Sequence, residues 1–358
     1  MRGQGTIMPI PLDLGDAWAL VLRYKMFFIT LSVFFGAAVI SLIWQWRRMG
    51  KSLSLREFLK TCFQPGFAGA SSRTDLAMYV IVKLTHGVLV AGMIIVQLWL
   101  GLVIADGLTA LFGAAEPAEA GFVTIVVMSV VIFLFADFSN FLTHYMQHKI
   151  PVLWELHKVH HSATYLSPLT TARMHPLGDL FDLVTAGAFT AIPMGVGVYL
   201  YGFDLPELFL MFANANFIGT VLVLDALRHS QFPVSFGAAD RVLMSPHMHQ
   251  LHHSIDEAHW DKNMGNKLSI FDWIFGTAYK PAQGEIVGYG IGRGDAEDDL
   301  FHSLYGAYVR PLIGMARTLT GRRPDLPPPV RPISQEGVAG DAKAARPAAE
   351  TSRDFQTG

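Results

Sequence analysis

A single cysteine, Cys62, stands in the 358 residues. It excludes an internal disulfide, a four-cysteine zinc site and any self-contained iron–sulfur cluster. Charge is also scarce. Asp, Glu, Lys and Arg make up 16% of the chain, the formal net charge is −2, and no basic block of the kind that tracks phosphates occurs, so nucleic acid is not an expected partner. No Gly-x-Gly-x-x-Gly is present, and Gly288–Gly294 (GYGIGRG) misses that spacing and reads as a loop. There is no His-Glu-x-x-His of a zinc protease and no Glu-x-x-His of the soluble carboxylate-bridged di-iron bundles. A secretory leader is not expected either, because the first apolar run starts only near Met26, is long, and is followed by Arg47 and Arg48. Internal repeats and coiled-coil heptads are lacking too.

What is abundant is apolar sequence. Hydrophobic residues make up 51% of the chain, and the mean hydropathy is +0.35, which is too apolar for an ordinary soluble domain. Met26–Trp44 is about nineteen residues without a charge, enough to cross a bilayer core. A second segment, Leu76–Ile104, is interrupted by Lys83 and His86 and is expected as a tilted helix or a span plus an interfacial piece. A third starts at Phe122 and runs to Ala136. Two more, Leu180–Leu200 and Pro206–Leu224, flank a turn-like Tyr-Gly-Phe-Asp-Leu-Pro and read as a hydrophobic hairpin. β-branched residues do not make these strands, since a lone segment in lipid must satisfy its own backbone and only a helix does so.

Loop charge orients the spans. Arg47, Arg48, Lys51, Arg56, Lys60 and Arg73 follow the first, whereas Gly107–Gly121 and Tyr201–Pro206 contain no Lys or Arg. The positive-inside rule puts 45–75 in the cytoplasm and the other two loops outside. The expected fold is therefore all-α, a polytopic membrane bundle of about four or five segments with a cytoplasmic cap, in the inner membrane of a bacterium. Expected boundaries are 1–121 for the N-terminal membrane segments, 122–280 for the catalytic unit, 281–321 for a C-terminal extension and 322–358 for a Pro- and Ala-rich disordered tail.

Histidine is the other excess. Twelve of the fourteen lie between His144 and His259, and eight form three clusters: His144 and His148, then His157, His160 and His161, then His249, His252 and His253. Spacings of three and four put rings on one helix face, roughly 5–6 Å apart at Cβ. Loop charge, which owes nothing to histidine, brings all three clusters to the cytoplasmic side. His229 stands alone at the same end of the last hairpin helix, giving nine plausible ligands. That is too many for one ion and suits two. Imidazole accepts iron, copper, zinc or nickel. A nitrogen-rich pair beside an apolar compartment fits oxygen activation against a C–H bond. A zinc-dependent membrane hydrolase, a bis-histidine haem protein and a metal transporter are the alternatives, the last expecting ligands near the bilayer midplane.

These clusters, with LWELHKVHHS, TARMHP, LRHSQFP and RVLMSPHMHQLHHS running on to DKNMGNKLSIFDWIFGTAY, resemble the three histidine boxes of the fatty acid hydroxylase superfamily, its sterol desaturase branch in particular. The resemblance covers Phe122–Tyr279. It implies a membrane-embedded di-iron enzyme that uses O2 and two external electrons to hydroxylate or desaturate a lipid, whether a sterol, sphingoid base, fatty acyl chain or carotenoid. It implies two iron ions bound by His144, His148, His157, His160, His161, His229, His249, His252 and His253. Without a flavin or nicotinamide fingerprint, electrons are expected from a separate ferredoxin or cytochrome, docking on a basic face the sequence does not locate. Some relatives carry a histidine where this chain has Asp225, a carboxylate that either binds or bridges the metals or, the favoured expectation, orients His229 as an acceptor. His175 is expected beside the site in a capping or tuning role. His247 is expected on the surface, and His259 and His302 solvated or pairing with loops. His86 is expected in an interhelical hydrogen bond, Asn214 and Asn216 as contacts between helices or with a substrate hydroxyl, Asn263 in a turn, and Trp154 and Trp273 as interfacial anchors.

Overall fold

The computed structural model describes residues 65–282, 285, 287–292 and 298–321, with isolated positions before 65. The expected first span, Met26–Trp44, and the expected tail, 322–358, lie outside the described residues apart from Ile43. Among the described residues there is no strand, only the isolated bridges Leu243–Leu268 and Ser254–Tyr289.

Among the described residues, four long helices form the bundle. Helix α1 (Ala70–Phe112) is one unbroken run of 43 residues, about 65 Å at the usual rise per residue. Lys83 and His86 do not interrupt it, since no proline falls within it and one turn of polar side chains leaves the backbone ladder intact. Helix α2 is Phe122–Lys149, longer than the apolar run because its last turns are polar but still helical. Pro151 cannot donate into that ladder and ends it. The same proline then starts α3 (Pro151–His161) from its first turn. Helix α4 (Pro176–Tyr201) ends on Gly202 in the left-handed conformation. Helix α5 (Leu205–Leu222) opens with a reciprocal cap, in which Glu207 N–H donates to Asp204 Oδ1 at 2.8 Å and Asp204 N–H to Glu207 Oε2 at 3.1 Å.

Helices α1, α2 and α4 are each long and apolar enough to cross a membrane. Their outward residues, among them Leu84, Val88, Leu111 and Phe122, are exposed, a surface that only lipid or another apolar body covers favourably. Helix α1 lies along α4. At their closest approach Gly195 faces the Gly101 carbonyl and Ile104, and any Cβ there would overlap both. Gln97 donates to Thr190 Oγ1 across the same seam at 2.7 Å. The two arms of the expected hairpin are both helical, and α5 lies against α2. Met128 and Ile132 of α2, Met194 of α4, Phe203, and Leu208 and Met211 of α5 make a closed core at that end.

Both lysine-free loops meet at this end. Ala118 N–H donates to Leu200 O at 2.9 Å and the Tyr199 hydroxyl to Gly113 O at 3.1 Å. The opposite end carries a cap built from α3, α6 (Pro246–His252), α7 (Ile270–Phe275), α8 (Leu304–Tyr308), α9 (Arg310–Leu319) and short 3-10 turns. Arg173 ties this cap together. It is fully buried and donates to Asp75 Oδ1 at 2.7 Å, Val159 O at 2.9 Å, Ser162 Oγ at 3.0 Å, Ser71 O at 3.1 Å and Phe301 O at 3.2 Å. One guanidinium thus joins α1, the end of α3 and the segment before α8, and all its donor groups have acceptors.

Candidate metal centre

Nine rings converge inside the cap. The last turns of α2 supply His144 and His148 on one face, and α3, folded back at Pro151, supplies His157, His160 and His161. His229 follows the 3-10 turn Asp225–Leu227, and His249, His252 and His253 come from α6 and its end. They form two groups in which the candidate ligand atoms lie within 4.8 Å of one another: His144, His148, His157, His161 and His252, and separately His160, His229, His249 and His253.

In the four-histidine group His229 Nε2 lies 3.1 Å from His160 Nε2, 3.2 Å from His253 Nε2 and 2.9 Å from His249 Nε2. In the five-histidine group His157 Nε2 and His161 Nε2 are 3.2 Å apart. Nitrogens bound about 2.0–2.1 Å from a common ion at right or tetrahedral angles are separated by about 2.8–3.4 Å. The spacing is that of cis ligands.

Tautomers support the same fit. His144 Nδ1 donates to Met264 O at 2.7 Å, and His252 Nδ1 donates to Lys262 O at 2.7 Å. A carbonyl only accepts, so these rings carry their proton on Nδ1 and present a lone pair at Nε2. The Nε2 atoms of His144, His148 and His252 are buried and have no partner. Each such orphan costs about 1–3 kcal/mol without a ligand. Three of them in one group fit a cation.

The loop that supplies those carbonyls is held from several sides. Asp261 and Asn263 take the left-handed backbone, at φ 58° and 54°, which Asp and Asn tolerate better than other side chains. Asn263 donates to Met248 O at 3.0 Å and accepts from Tyr279 N–H at 2.7 Å. Asp272 accepts from Met264 N–H at 2.7 Å and Gly265 N–H at 2.9 Å. Asp137 of α2 accepts from the N–H groups of Lys267 and Leu268 at 2.8 and 2.9 Å.

Burial holds the cap rings neutral. It pushes His157, His161, His229, His249, His252 and His253 well below the ordinary histidine value, and His160 down to about 3. Asp261 Oδ1 faces His148 Nδ1 at 3.4 Å. The hydrogen bond from His148, with Lys149 adding to it against the effect of burial, lowers that carboxyl to about 2.

Asp225 is not among the grouped residues. It was expected to orient His229, but its Oδ1 accepts from Lys267 Nζ at 2.8 Å and Arg228 Nη1 at 3.0 Å, while His229 Nδ1 pairs with Thr171 Oγ1 at 3.1 Å. The 3-10 turn aims the carboxylate along Arg228 instead. Burial raises the Asp225 carboxyl, and the charges of Arg228 and Lys267 outweigh it and bring it well below the usual range. Arg228 Nη2 then donates to His249 Nδ1 at 2.8 Å. In the neutral ring this leaves the His249 proton on Nε2, so binding through Nε2 requires its loss beside the guanidinium charge. Sequence reasoning missed Arg228, Thr171, Asp261 and Asp272. Only Arg228, adjacent to His229, had a local signal.

His175 has both nitrogens engaged. Nδ1 accepts from Leu177 N–H at 3.2 Å and caps α4, and Nε2 donates to Tyr308 O at 3.0 Å. His247, expected on the surface, is buried and donates from Nε2 to Glu285 O at 2.9 Å, because the cap wraps both sides of α6. His259 pairs with Glu285 Oε1 at 3.0 Å and His302 with Asp299 Oδ1 at 3.1 Å. His86 of α1 reaches Asp179 of α4 at 3.2 Å, the expected interhelical bond. Asn216 donates to Phe212 O within its own helix at 3.0 Å, and the Asn214 side chain lies outside the description. Trp273 is exposed, whereas Trp154, also expected as an anchor, is half-buried with its ring 5.2 Å from His148 and 5.4 Å from His161. Its place near the start of α3 turns it onto the rings rather than toward lipid.

A cavity of about 200 Å³ opens onto the five-histidine group, lined by His148, His161 and His252 with Trp154, Trp260 and Asp261. The cavity lining includes no ring of the four-histidine group.

The sequence model of the fatty acid hydroxylase family matches residues 129–277, the stretch from mid-α2 to the end of the box-supporting loop. An ornithine lipid hydroxylase of Rhizobium tropici is 31% identical over 166 residues, 46% of this chain and 45% of its own length. Alkylglycerol monooxygenase of Homo sapiens is 27% identical over 159 residues, 44% of this chain and 32% of its own length. The Danio rerio form is 26% identical over 161 residues, 44% of this chain and 32% of its own length. The chain therefore spans less than half the length of these relatives. No solved structure matches significantly.

Proposed function

With a fatty acid hydroxylase domain at residues 129–277 as the premise, we propose that this integral membrane chain hydroxylates a lipid with O2. Its site binds two iron ions, His144, His148, His157, His161 and His252 holding one and His160, His229, His249 and His253 the other. The observation that carries this reading is the set of unpartnered Nε2 atoms on His144, His148 and His252, two of them with the opposite nitrogen fixed by a backbone carbonyl. Iron bound there supplies oxygen activation: one atom of O2 enters a C–H bond and the other leaves as water, consuming two electrons and two protons.

The protein's own groups do the rest. The carbonyls of Lys262 and Met264 fix ring orientation, Thr171 holds His229, and Arg228, backed by Asp225, sets His249. Burial keeps bulk water from His160, His229, His249 and His253, while the cavity gives small molecules access to the five-histidine group. His175 joins the entry of α4 to the end of α8 and so positions the cap relative to that helix.

The named activities of the relatives favour hydroxylation over desaturation. One acts on ornithine lipid and the other on alkylglycerol, so the substrate proposed here is the acyl or alkyl chain of a polar lipid. A separate ferredoxin or cytochrome delivers the electrons, and the charge of the loops supports a site on the cytoplasmic side.

Metal analysis of the purified full-length chain, paired with lipid mass spectrometry of a deletion strain, tests this. The expected result is two irons per chain and one lipid species lacking a single oxygen atom in the mutant. Zinc in place of iron, or turnover that continues without O2, would overturn it.

A further inference from the structure

The last described helix, α9, has three distinct faces. Pro311, Gly314 and Thr318 recur at helical spacing and turn toward α3, on which α9 packs. Gly314 abuts the Glu155 carboxylate so closely that a Cβ would overlap it. Leu312, Met315, Ala316 and Leu319 form a second row, and Leu312, Ala316 and Leu319 are exposed. Arg310 and Arg317, seven positions apart and both exposed, form the third, and exposed Ile313 lies between that row and Ala316. At 3.6 residues per turn the leucine row and the arginine row are about 160° apart, with the protein contact between them. No acidic residue occurs in Arg310–Leu319.

The level of this helix is set by α4. His175, which caps that spanning helix, donates to Tyr308 O at the junction of α8 and α9. Leu304, Tyr305 and Val309 are exposed on the same segment. A second marker lies on α2, where the Phe275 ring of α7 sits 5.0 Å from Phe141 and 5.9 Å from Tyr145, leaving Ile270, Trp273 and Ile274 exposed. Exposed apolar residues of the cap thus lie on segments anchored at the cap ends of two spanning helices.

We propose that α9 lies in the plane of the membrane interface and binds the lipid surface, with Leu312 and Leu319 turned to the acyl chains and Arg310 and Arg317 to the head groups. A helix of this pattern, apolar on one side and basic on the other, lies on a bilayer rather than crossing it. Because α9 packs on α3, which carries His157, His160 and His161, the contact fixes the box-bearing helix at the leaflet. A peripheral surface that binds a second protein would not need to share its level with the entry of α4.

The test uses the full chain in lipid nanodiscs. Leu312→Cys, Leu319→Cys and Arg317→Cys, each in a Cys62→Ser background, are labelled with an environment-sensitive fluorophore and challenged with lipids spin-labelled on the upper acyl chain. Blue-shifted emission at positions 312 and 319, quenched severalfold more than at 317, supports the proposal. Unshifted emission there, meaning water, overturns it. So does shifted emission that the lipids fail to quench, meaning a second copy or another segment of this chain covers the row. Should the substituted chains not fold, photo-crosslinking of the unsubstituted protein with a lipid bearing an acyl-chain diazirine decides the matter: adducts on Leu312 or Leu319 support the placement, and adducts confined to α1, α2 and α4 overturn it.

Discussion

His144 Nδ1 donates to the carbonyl oxygen of Met264 at 2.7 Å, across 120 positions of the chain. The carbonyl is aimed by Asp272, whose carboxylate accepts from the N–H groups of Met264 and Gly265 and from Thr277 Oγ1 at 2.7 Å. Asp272 touches no ring of the centre itself in these contacts, yet it decides which nitrogen of His144 faces inward. Asp272→Ala is expected to lower metal affinity about 10- to 100-fold, the usual effect of removing a group that orients a ligand. Helical content should persist, because the spanning helices do not depend on this loop. Metal titration with circular dichroism on the same samples checks both halves, and unchanged affinity would show that the Met264 carbonyl does not fix the His144 ring for metal.

Arg173 leads to a prediction about stability. Its ion pair with Asp75 is fully buried on both sides. Removing one partner of such a pair leaves an uncompensated charge and costs about 3–5 kcal/mol. Arg173→Met should therefore lower the unfolding temperature steeply in detergent, while Arg173→Met combined with Asp75→Asn should recover part of the loss. Thermal unfolding of the three proteins is the measurement. A double variant no more stable than the single would show that the backbone acceptors of Arg173, rather than the charge of Asp75, carry the effect.

The parts of the site legible in the sequence were those written in side chains at helical spacing. His144 and His148, or His249, His252 and His253, declare a shared face by their spacing, and loop charge brought the groups to one end of the bundle. Backbone acceptors leave no such mark. Nothing in Lys262 or Met264 as residue types says that their carbonyls meet His252 and His144. Asp225 was singled out for its position near His229, but a 3-10 turn of three residues rotated it onto Arg228 and Lys267. His247 looked exposed on a regular helix because the segment around Glu285 that covers it is distant in the chain. Arg173 could be seen beside His175, but its partner Asp75 is 98 positions away.

Acid should weaken the metal-free centre. His157, His161, His229, His249, His252 and His253 are all held below the ordinary value of 6.5 by burial, and His160 is at about 3. The folded chain then binds fewer protons than the unfolded one between these values. Its stability is complete above about pH 6.5 and is lost as the pH falls toward the folded values, by about 1 kcal/mol per ring one pH unit below the unfolded value. Unfolding temperatures of metal-free protein should drop between pH 7.5 and about 5, while the metal-loaded protein resists until protons compete for the same nitrogens. A flat profile for the metal-free chain would mean that water reaches the rings.

The two histidine groups differ in access, and that difference predicts a kinetic asymmetry. His148, His161 and His252 line the cavity of about 200 Å³, and Trp260 forms part of its wall with 42% of its surface exposed. Azide, a small anion that ligates ferric iron and gives a visible charge-transfer band, should enter by this route and reach the five-histidine group. Trp260→Ala widens the wall without touching a ring of either group, so azide should bind several-fold faster with metal content unchanged. Thr171→Val removes the partner of His229 Nδ1, on the group that lines no part of this cavity. It should leave the azide rate near that of the parent chain while lowering metal retention in the four-histidine group. Stopped-flow absorbance on the three proteins, with iron quantified in each, separates entry from binding. Equal azide rates in the parent and Trp260→Ala would show that small molecules reach the metals by another path.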